Sequence, residues 1–241
     1  MKLSFSNQQT TALTRVEVMV VIVVVVAGIG LLFPAITVLR EKARRIACVN
    51  NLKEIDEDFR CWVDDRGKYP GLISVTNGGV RELLGAGNAY LLWETMFKET
   101  KGSPKVLACP SDTNCIAATN FSTGFSDANI SYFINLEAVD TQPQMVMDGD
   151  YNLLVNGKPV QPGILNLWTN TAWINTAIGW TKDRHRGGGN MTLTGKWAQQ
   201  VTSDELKAAL ADGSVQMGTS VTSNGFMEYF IGIVTNRLLI P

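Results

Sequence analysis

The sequence predicts an α+β fold, in which a long N-terminal membrane helix is followed by a globular head with an antiparallel β-sheet. Three observations predict it. Residues 18–39 form an apolar run without a charged side chain, and Thr37 is its only weakly polar residue. An apolar stripe with helical spacing continues beyond this run. Short apolar segments separated by turn residues, which are typical of strands, fill much of the remaining chain.

The apolar run is long enough to cross a membrane. As an α-helix it would measure about 33 Å, and the hydrocarbon core of a bilayer is about 30 Å thick. Glu17 lies just outside the N-terminal end of the run. Because a charge at membrane depth costs free energy, we expect this carboxylate to have a partner. We assign residues 13–39 to a transmembrane helix.

Residues 1–12 precede the apolar run and are mostly polar. A secretory signal peptide contains its own apolar region, whereas here the apolar run follows the polar segment. Residues 1–12 therefore do not have the pattern of a secretory signal peptide.

Within the apolar run, Gly28, Gly30 and Pro34 predict a soft segment of the helix. Glycine weakens a helix. Proline has no backbone N–H, so the carbonyl of Gly30, four residues before Pro34, loses its helical partner. We expect the helix to loosen most easily between residues 26 and 34.

The helix is predicted to continue beyond the membrane over residues 40–66. Its end is indicated by the sequence DDRG at residues 64–67 and by YPG at residues 69–71. The apolar side chains of this part recur at spacings of three and four residues, as on one face of a helix. They are Ile46, Val49, Leu52, Ile55, Phe59 and Trp62.

Residues 67–241 are assigned to the globular head. A helical pattern extends over residues 78–100, and the capping-box sequence TSDE at residues 202–205 predicts a short helix that ends near residue 211. The apolar run at residues 226–234 is too short to span a membrane and predicts a buried strand. Further strands are predicted at residues 130–134, 145–147, 151–155, 163–167, 190–193 and 197–201.

The sequence ALTRVE at residues 12–17 resembles the processing site of type IV prepilins and type II secretion pseudopilins. In that family a peptidase cuts after a small residue, the new N-terminus is methylated, and the fifth mature residue is Glu. The resemblance implies a cut between Ala12 and Leu13, which makes residues 1–12 a leader peptide and keeps the hydrophobic helix with the mature chain. This cut makes Glu17 the fifth mature residue. It also makes Pro34 the twenty-second, where many pilins carry a proline. The chain differs from the usual pattern in Ala12 for Gly, in Leu13 for Phe, and in a charged residue at position 15.

A second resemblance narrows the family. Residues 43–70, ARRIACVNNLKEIDEDFRCWVDDRGKYP, are similar to the corresponding segment of a large pseudopilin-like group. That group also carries a Cys-Pro-Ser/Ala-Asp motif, which residues 109–112 match. It often ends with a His, a Gly-rich stretch and an Asp-Gly about ten residues later. His185 and residues 187–189 match the start of this pattern, but Gly-Lys at residues 195–196 replaces the Asp-Gly.

The resemblance implies a pilin-like lollipop with a structural function. It implies a single-pass protein of the inner membrane with its head in the periplasm, which a prepilin peptidase/methyltransferase processes. Other pilin-like subunits would assemble with it into a type IV pilus or a type II secretion-like filament of the envelope or cell surface. In the filament, Glu17 would neutralise the α-amine of a neighbouring Leu13 and set the register. The alternative is a non-polymerising, membrane-anchored binding domain at the cell surface.

The four cysteines are Cys48, Cys61, Cys109 and Cys115. In the pilin topology they face an oxidising compartment, where disulfides persist, and they permit three connectivities. A Cys48–Cys61 bridge is disfavoured because these residues are about 19 Å apart on a continuous helix. Cys109 and Cys115 could close a small loop, while the other two options tie the helix to that loop. We favour Cys48–Cys109 with Cys61–Cys115. A zinc site is disfavoured because the chain has no C-x-x-C pair and a single His.

Other candidate sites are weak. The chain has no G-x-S-x-G nucleophile elbow whose serine His185 could activate, so we expect His185 to be a structural or surface residue. Residues 148–152, DGDYN, have spacing suited to Ca²⁺ but lack the later ligands, so we expect a polar turn. The tryptophans at positions 168, 173 and 180 are expected in the core. The net charge of −1 gives no basic excess for nucleic acid. We expect no enzyme, no cofactor and no metal.

Overall fold

A computed structural model describes residues 14–85, 87–122, 124–139, 144–167, 176–212, 215–221, 227–233 and 236–241. The chain divides into two compact units, Met1–Lys42 and Ala43–Pro241. The fold is α+β, as predicted: a long N-terminal apolar helix is followed by a globular unit with antiparallel sheets. The second unit includes the C-terminal part of that helix.

Helix α1 extends over Arg15–Arg66, a length of 52 residues, and is continuous through Pro34. The large apolar side chains described between Val16 and Leu39 are all exposed. Within the described part of the chain, α1 is the one helix that is long and apolar enough to cross a membrane, judged by length and composition. It ends where the sequence predicted, since Gly67 has a positive φ of 74°.

The predicted stripe on α1 packs into the core of the second unit, except at its start. Leu52, Ile55, Phe59 and Trp62 are buried, and the partly buried Val49 packs against them. Ile46, at the start of the stripe, is 62% exposed and does not join this core. Burial of each large apolar side chain contributes about 1.5–3 kcal/mol.

The described residues of the second unit contain two further α-helices. Helix α2 extends over Tyr90–Thr100, so the helical pattern predicted from residue 78 becomes an α-helix only in its second half. Gly78 and Gly87 have positive φ, which interrupts a right-handed helix, and short 3₁₀ turns occupy Val75–Asn77 and Arg81–Leu83. Further 3₁₀ turns lie at Pro70–Leu72, Pro104–Leu107 and Asp127–Asn129.

Helix α3 extends over Ser203–Asp212 and begins with the predicted capping box. The backbone N–H and the hydroxyl of Thr202 donate to Glu205 Oε2 at 2.6 and 2.9 Å. The N–H of Glu205 donates back to Thr202 Oγ1 at 3.3 Å. This reciprocal pairing satisfies N–H groups that a helix start otherwise leaves free.

The strands of the described residues confirm all six short segments predicted as strands. They are β1 Tyr132–Asn135, β2 Val146–Asp150, β3 Leu153–Val155, β4 Lys158–Pro159, β5 Gly163–Leu167, β6 Ile178–Trp180, β7 Gly189–Leu193, β8 Gln199–Val201, β9 Val215–Val221, β10 Met227–Ile233 and β11 Asn236–Ile240. The run predicted at residues 226–234 contains β10, although its predicted burial concerns side chains outside the description. The tryptophans at 168 and 173 also lie outside it, while Trp180 is buried as predicted.

The largest sheet has six antiparallel strands in the order β5-β11-β1-β2-β7-β8. A three-stranded sheet has the order β4-β3-β6, and β9 pairs with β10. Side chains of β1 alternate between two cores. Tyr132 and Ile134 pack with α1 and α2, whereas Phe133 packs with Leu206 and Leu210 of α3. The large sheet therefore has a core on each face.

Candidate functional site

The start of α1 carries Glu17, one of the two residues predicted for assembly, whereas Pro34 lies farther along the helix. The N–H and hydroxyl of Thr14 donate to Glu17 Oε2 at 2.8 and 2.9 Å, and the N–H of Glu17 donates to Thr14 Oγ1 at 3.3 Å. This is a second capping box, with Thr14 as the cap of α1. The predicted processing residues Ala12 and Leu13 lie outside the described residues.

The box gives Glu17 a role within its own helix that the sequence reasoning missed. The signal was present, because Thr-x-x-Glu at residues 14–17 repeats the pattern recognised at residues 202–205. In the described chain the Glu17 carboxylate is exposed and accepts bonds from Thr14 alone. A partner from another chain would have to share or replace these bonds.

A disulfide joins α1 to the Cys-Pro-Ser-Asp turn of the head. Cys48 and Cys109 form it, with a Cα–Cα distance of 5.1 Å and a sequence separation of 61, so the favoured first bridge is confirmed. Closing a loop of this length stabilises a fold by up to about 4 kcal/mol in the chain-entropy picture. The predicted Cys61–Cys115 bridge is wrong: both thiols are free, because Cys61 lies on the exposed face of α1 while Cys115 is half-buried.

His185 lies against this disulfide. Its Nε2 is 3.4 Å from Cys109 Sγ, 3.3 Å from Asp150 Oδ2 and 3.2 Å from Asn190 Nδ2. The side chain is fully buried, so the structural interpretation of this His holds and the surface interpretation does not. A guanidinium N–H of Arg45 on α1 donates to the backbone carbonyl of His185.

The backbone at His185 is unusual. His185 and Arg186 have φ of 48° and 58°, and Gly187 continues the left-handed run with 84°. Residues with a side chain seldom adopt this region, and each instance costs of order 1–2 kcal/mol. Contacts of the His185 ring and carbonyl compensate for that cost. The Gly-rich stretch then forms the turn into β7.

The segment around Asp148 is a buried strand, so the predicted polar turn is wrong. Asp148 and Asp150 belong to β2 and are fully buried. Burial raises the pKa of the Asp148 carboxyl well above its usual range, and the nearby Asp56 and Asp150 carboxylates raise it further. Asp150 Oδ2 accepts from the backbone N–H and from Nδ2 of Asn190 at 2.7 and 2.9 Å. The two acids thus lie in a strand and not in the loop that a calcium site requires.

A buried ion pair joins the turn before β7 to the Cys-Pro-Ser-Asp turn. Its members are Arg184, which precedes His185, and Asp112. Arg184 contacts Asp112 at 2.7 Å, and their side chains are 4% and 1% exposed. Ser131 Oγ donates to Asp112 Oδ2 at 2.8 Å, and the Asn114 N–H donates to Oδ1 at 3.0 Å. The Arg184 guanidinium also lies 4.2 Å over the Tyr151 ring. The resemblance identified Asp112 as part of a motif, and the structure shows that it pairs with Arg184.

These contacts form one buried lock, which we define as Cys48, Cys109, Asp112, Asp150, Arg184, His185 and Asn190. It fixes the turn before β7 and the turn at residues 109–112 to α1 and β2. Its chemistry is suited to holding segments together, since its residues are buried and are joined by a disulfide, an ion pair and hydrogen bonds. Four of its polar atoms have no hydrogen-bond partner among the described residues: Asp150 Oδ1, Arg184 Nη1, His185 Nδ1 and Asn190 Oδ1. An open cavity of about 370 Å³ adjoins it, lined in part by Arg45, His185 and Arg186.

No family model, curated protein or solved structure matches this chain.

Proposed function

We propose that this chain is a structural, pilin-like subunit and not an enzyme. A prepilin peptidase/methyltransferase processes it in the inner membrane, and it then assembles with other pilin-like subunits into a type IV pilus or type II secretion-like filament. The helix anchors it, and the head lies in the periplasm until assembly. The motif at residues 12–17 and the position of Pro34 support this proposal.

The strongest support for the proposal is the exposed apolar surface of the N-terminal part of α1. The apolar side chains described between Val16 and Leu39 are exposed around the helix, not along one stripe. A helix that is apolar all round requires lipid or other helices as its surroundings. A membrane supplies the first environment, and a filament built from packed N-terminal helices supplies the second.

Glu17 would pair with a neighbouring subunit when the helix moves from the membrane into a filament. After cleavage, the α-amine of Leu13 carries a positive charge, and in a filament a neighbouring Glu17 carboxylate would neutralise it. Leaving a buried charge without its partner costs about 3–5 kcal/mol, so the pairing would select one axial register. The capping bonds from Thr14 keep the carboxylate at the start of its helix, where this partner would arrive.

The test separates the charge of Glu17 from its capping role. Glu17→Gln keeps a residue that can complete a capping box but removes the charge. We expect normal membrane content and a fall of more than about tenfold in shear-released filament yield, because the Leu13 amine loses its counter-ion. Glu205→Gln makes the same change in the box of α3 and should leave the yield unchanged.

Two further variants complete the design. Thr14→Ala weakens the cap by about 1 kcal/mol but keeps the charge, so filament yield should fall much less than in Glu17→Gln. Glu17→Ala should insert at least as well as the wild-type chain, since it removes a charge from membrane depth. Normal filament yield from Glu17→Gln would contradict the role of Glu17. Absence of filaments from the wild-type chain would favour a non-polymerising anchored binding domain.

A further inference from the structure

Cys48, Cys109 and His185 bring three metal-binding groups together in the buried lock. The two Sγ atoms and a ring nitrogen of His185 all lie within 4.8 Å of one another, and all three residues are buried. Cys48 and Cys109 are 61 residues apart, and Cys109 and His185 are 76 apart. Thiolate sulfur and imidazole nitrogen are ligands that Zn²⁺ prefers in proteins.

The distances fit a tetrahedral site. With Zn–S near 2.3 Å and Zn–N near 2.0 Å, neighbouring ligand atoms in a tetrahedron are about 3.3–3.8 Å apart. Nε2 of His185 is 3.4 Å from Cys109 Sγ and 3.3 Å from Asp150 Oδ2. Once the S–S bond is broken, the two sulfurs can separate to a comparable distance. Small movements of side chains would then place Cys48, Cys109 and His185 around one ion. Asp150, which contacts His185, would have to move toward the sulfurs to complete the site.

Asp150 supplies an independent indication of a ligand. Its Oδ1 is buried and has no hydrogen-bond partner among the described residues, although a buried polar atom left unpaired is costly. Its Oδ2 is held by the N–H and Nδ2 of Asn190. A carboxylate oriented in this way by a neighbouring amide is a suitable fourth ligand, because outer hydrogen bonds fix ligand geometry.

The surrounding structure holds the His in position. The left-handed backbone at His185 and the Arg45 bond to its carbonyl fix the residue from outside the cluster. His185 also lines part of an open cavity of about 370 Å³, so this residue of the cluster lies next to solvent, although its side chain is enclosed.

We propose that, when the Cys48–Cys109 disulfide is reduced, the head binds one Zn²⁺ ion through both thiolates, His185 Nε2 and the Asp150 carboxylate. A dithiol can supply the two electrons: it becomes a disulfide, and its two protons pass to the cysteine sulfurs. Zn²⁺ then displaces these protons from Cys48 and Cys109. Oxidation back to the disulfide removes two ligands and releases the ion.

The experiment uses the full chain in detergent, with Cys61→Ser and Cys115→Ser to remove the free thiols. The protein is reduced with a phosphine, which takes up the oxygen of a water molecule while that water's protons go to the thiolates. Titration with Co²⁺ should give thiolate-to-cobalt charge-transfer bands and the visible bands of a tetrahedral ion, at one equivalent per chain. Zn²⁺ should displace the Co²⁺, and the unreduced protein should show neither set of bands.

Ligand variants decide whether the folded cluster binds the ion. His185→Gln in the same background should weaken Zn²⁺ binding by at least about tenfold, and Asp150→Asn should shift the cobalt bands. Asp183→Asn, an exposed acid close to His185, is the matched control and should change neither. Circular dichroism of each reduced variant reports whether it is folded. The proposal is overturned if reduced protein gives no tetrahedral spectrum, or if His185→Gln binds as tightly as its parent, as unfolded thiols would.

Discussion

Asp112 and Arg184 are each buried against a charge of opposite sign, so each depends on the other. A buried pair contributes little compared with a well-packed apolar pair, but removal of one member leaves the other charge buried without compensation. Ser131 and Asn114 also donate to Asp112, and these donors would lose their acceptor too. At the scale of single residues, the lock is therefore sensitive to truncation.

We expect Asp112→Ala to lower the free energy of unfolding of the head by about 3–5 kcal/mol, because Arg184 loses its counter-ion. Urea unfolding followed by tryptophan fluorescence measures this change. The control is Lys98→Ala, which removes the partner of Glu94 from a largely exposed pair on α2 and should cost no more than about 0.5 kcal/mol. Equal effects of the two substitutions would contradict the described burial of the Asp112 pair.

The buried carboxyl of Asp148 should make the free energy of unfolding of the head depend on pH. Burial raises the pKa of its carboxyl in the folded chain well above the unfolded value of 3.8. The folded state therefore holds a proton that the unfolded state has already released, and stability falls as the pH rises from about 4 toward the folded pKa. Asp148→Asn removes this titration, so its unfolding midpoint in urea should rise relative to the wild-type midpoint as the pH increases. Asp183→Asn, at an exposed site, should show no such trend.

At the scale of elements, sequence patterns found most segments whose signal is local. Strands such as β5 and β7 are short apolar runs next to turn residues, and the capping box of α3 was recognised from four letters. The same box at Thr14 was missed because the resemblance had already assigned Glu17 another role. β6, β9 and β11 were also missed, since pairing with neighbouring strands and not their own pattern decides such elements.

Contacts between distant residues could be predicted only in part. The length of the helix between Cys48 and Cys61 disfavoured one connectivity, but Cys48–Cys109 was preferred to Cys48–Cys115 without a residue pattern that decides between them. The position of His185 against that bridge could not be predicted, because it depends on the turn into β7 and on a left-handed backbone. Ile46 shares the helical spacing of the stripe, but spacing does not show where packing begins, and this side chain is exposed.

The disulfide can be checked at the level of α1 and the turn that it joins. Maleimide labelling of the unreduced, folded chain should modify Cys61 rapidly because it is exposed. Cys115 should react more slowly, since burial raises the pKa of its thiol and the thiolate is the nucleophile. Cys109 should be labelled only after reduction. Modification of Cys109 in the unreduced chain, read out by peptide mass spectrometry, would refute the bridge.

At the scale of the whole molecule, the chain combines two units with separate tasks. In the proposed function, Met1–Lys42 contains the processing motif and the anchor, whereas Ala43–Pro241 contains the sheets and the lock. The buried lock stabilises the second unit without any residue of the motif at positions 12–17. Variants of the lock should therefore alter the stability of the head and leave processing intact, which makes the two tasks experimentally separable.

We expect the mature chain to begin at Leu13 with a methylated α-amine. The reason is the agreement of two offsets from one cut after Ala12, which makes Glu17 the fifth mature residue and places Pro34 at the twenty-second. Mass spectrometry of the intact protein and of its N-terminal peptide measures both the cut and the methyl group. Ala12→Trp should block cleavage, because the prepilins that the motif resembles are cut after a small residue, while Ala35→Leu inside the apolar run should not. A mature chain that keeps Met1, or one cut beyond residue 33, would contradict processing at this site and with it the proposed role of the Leu13 amine in assembly.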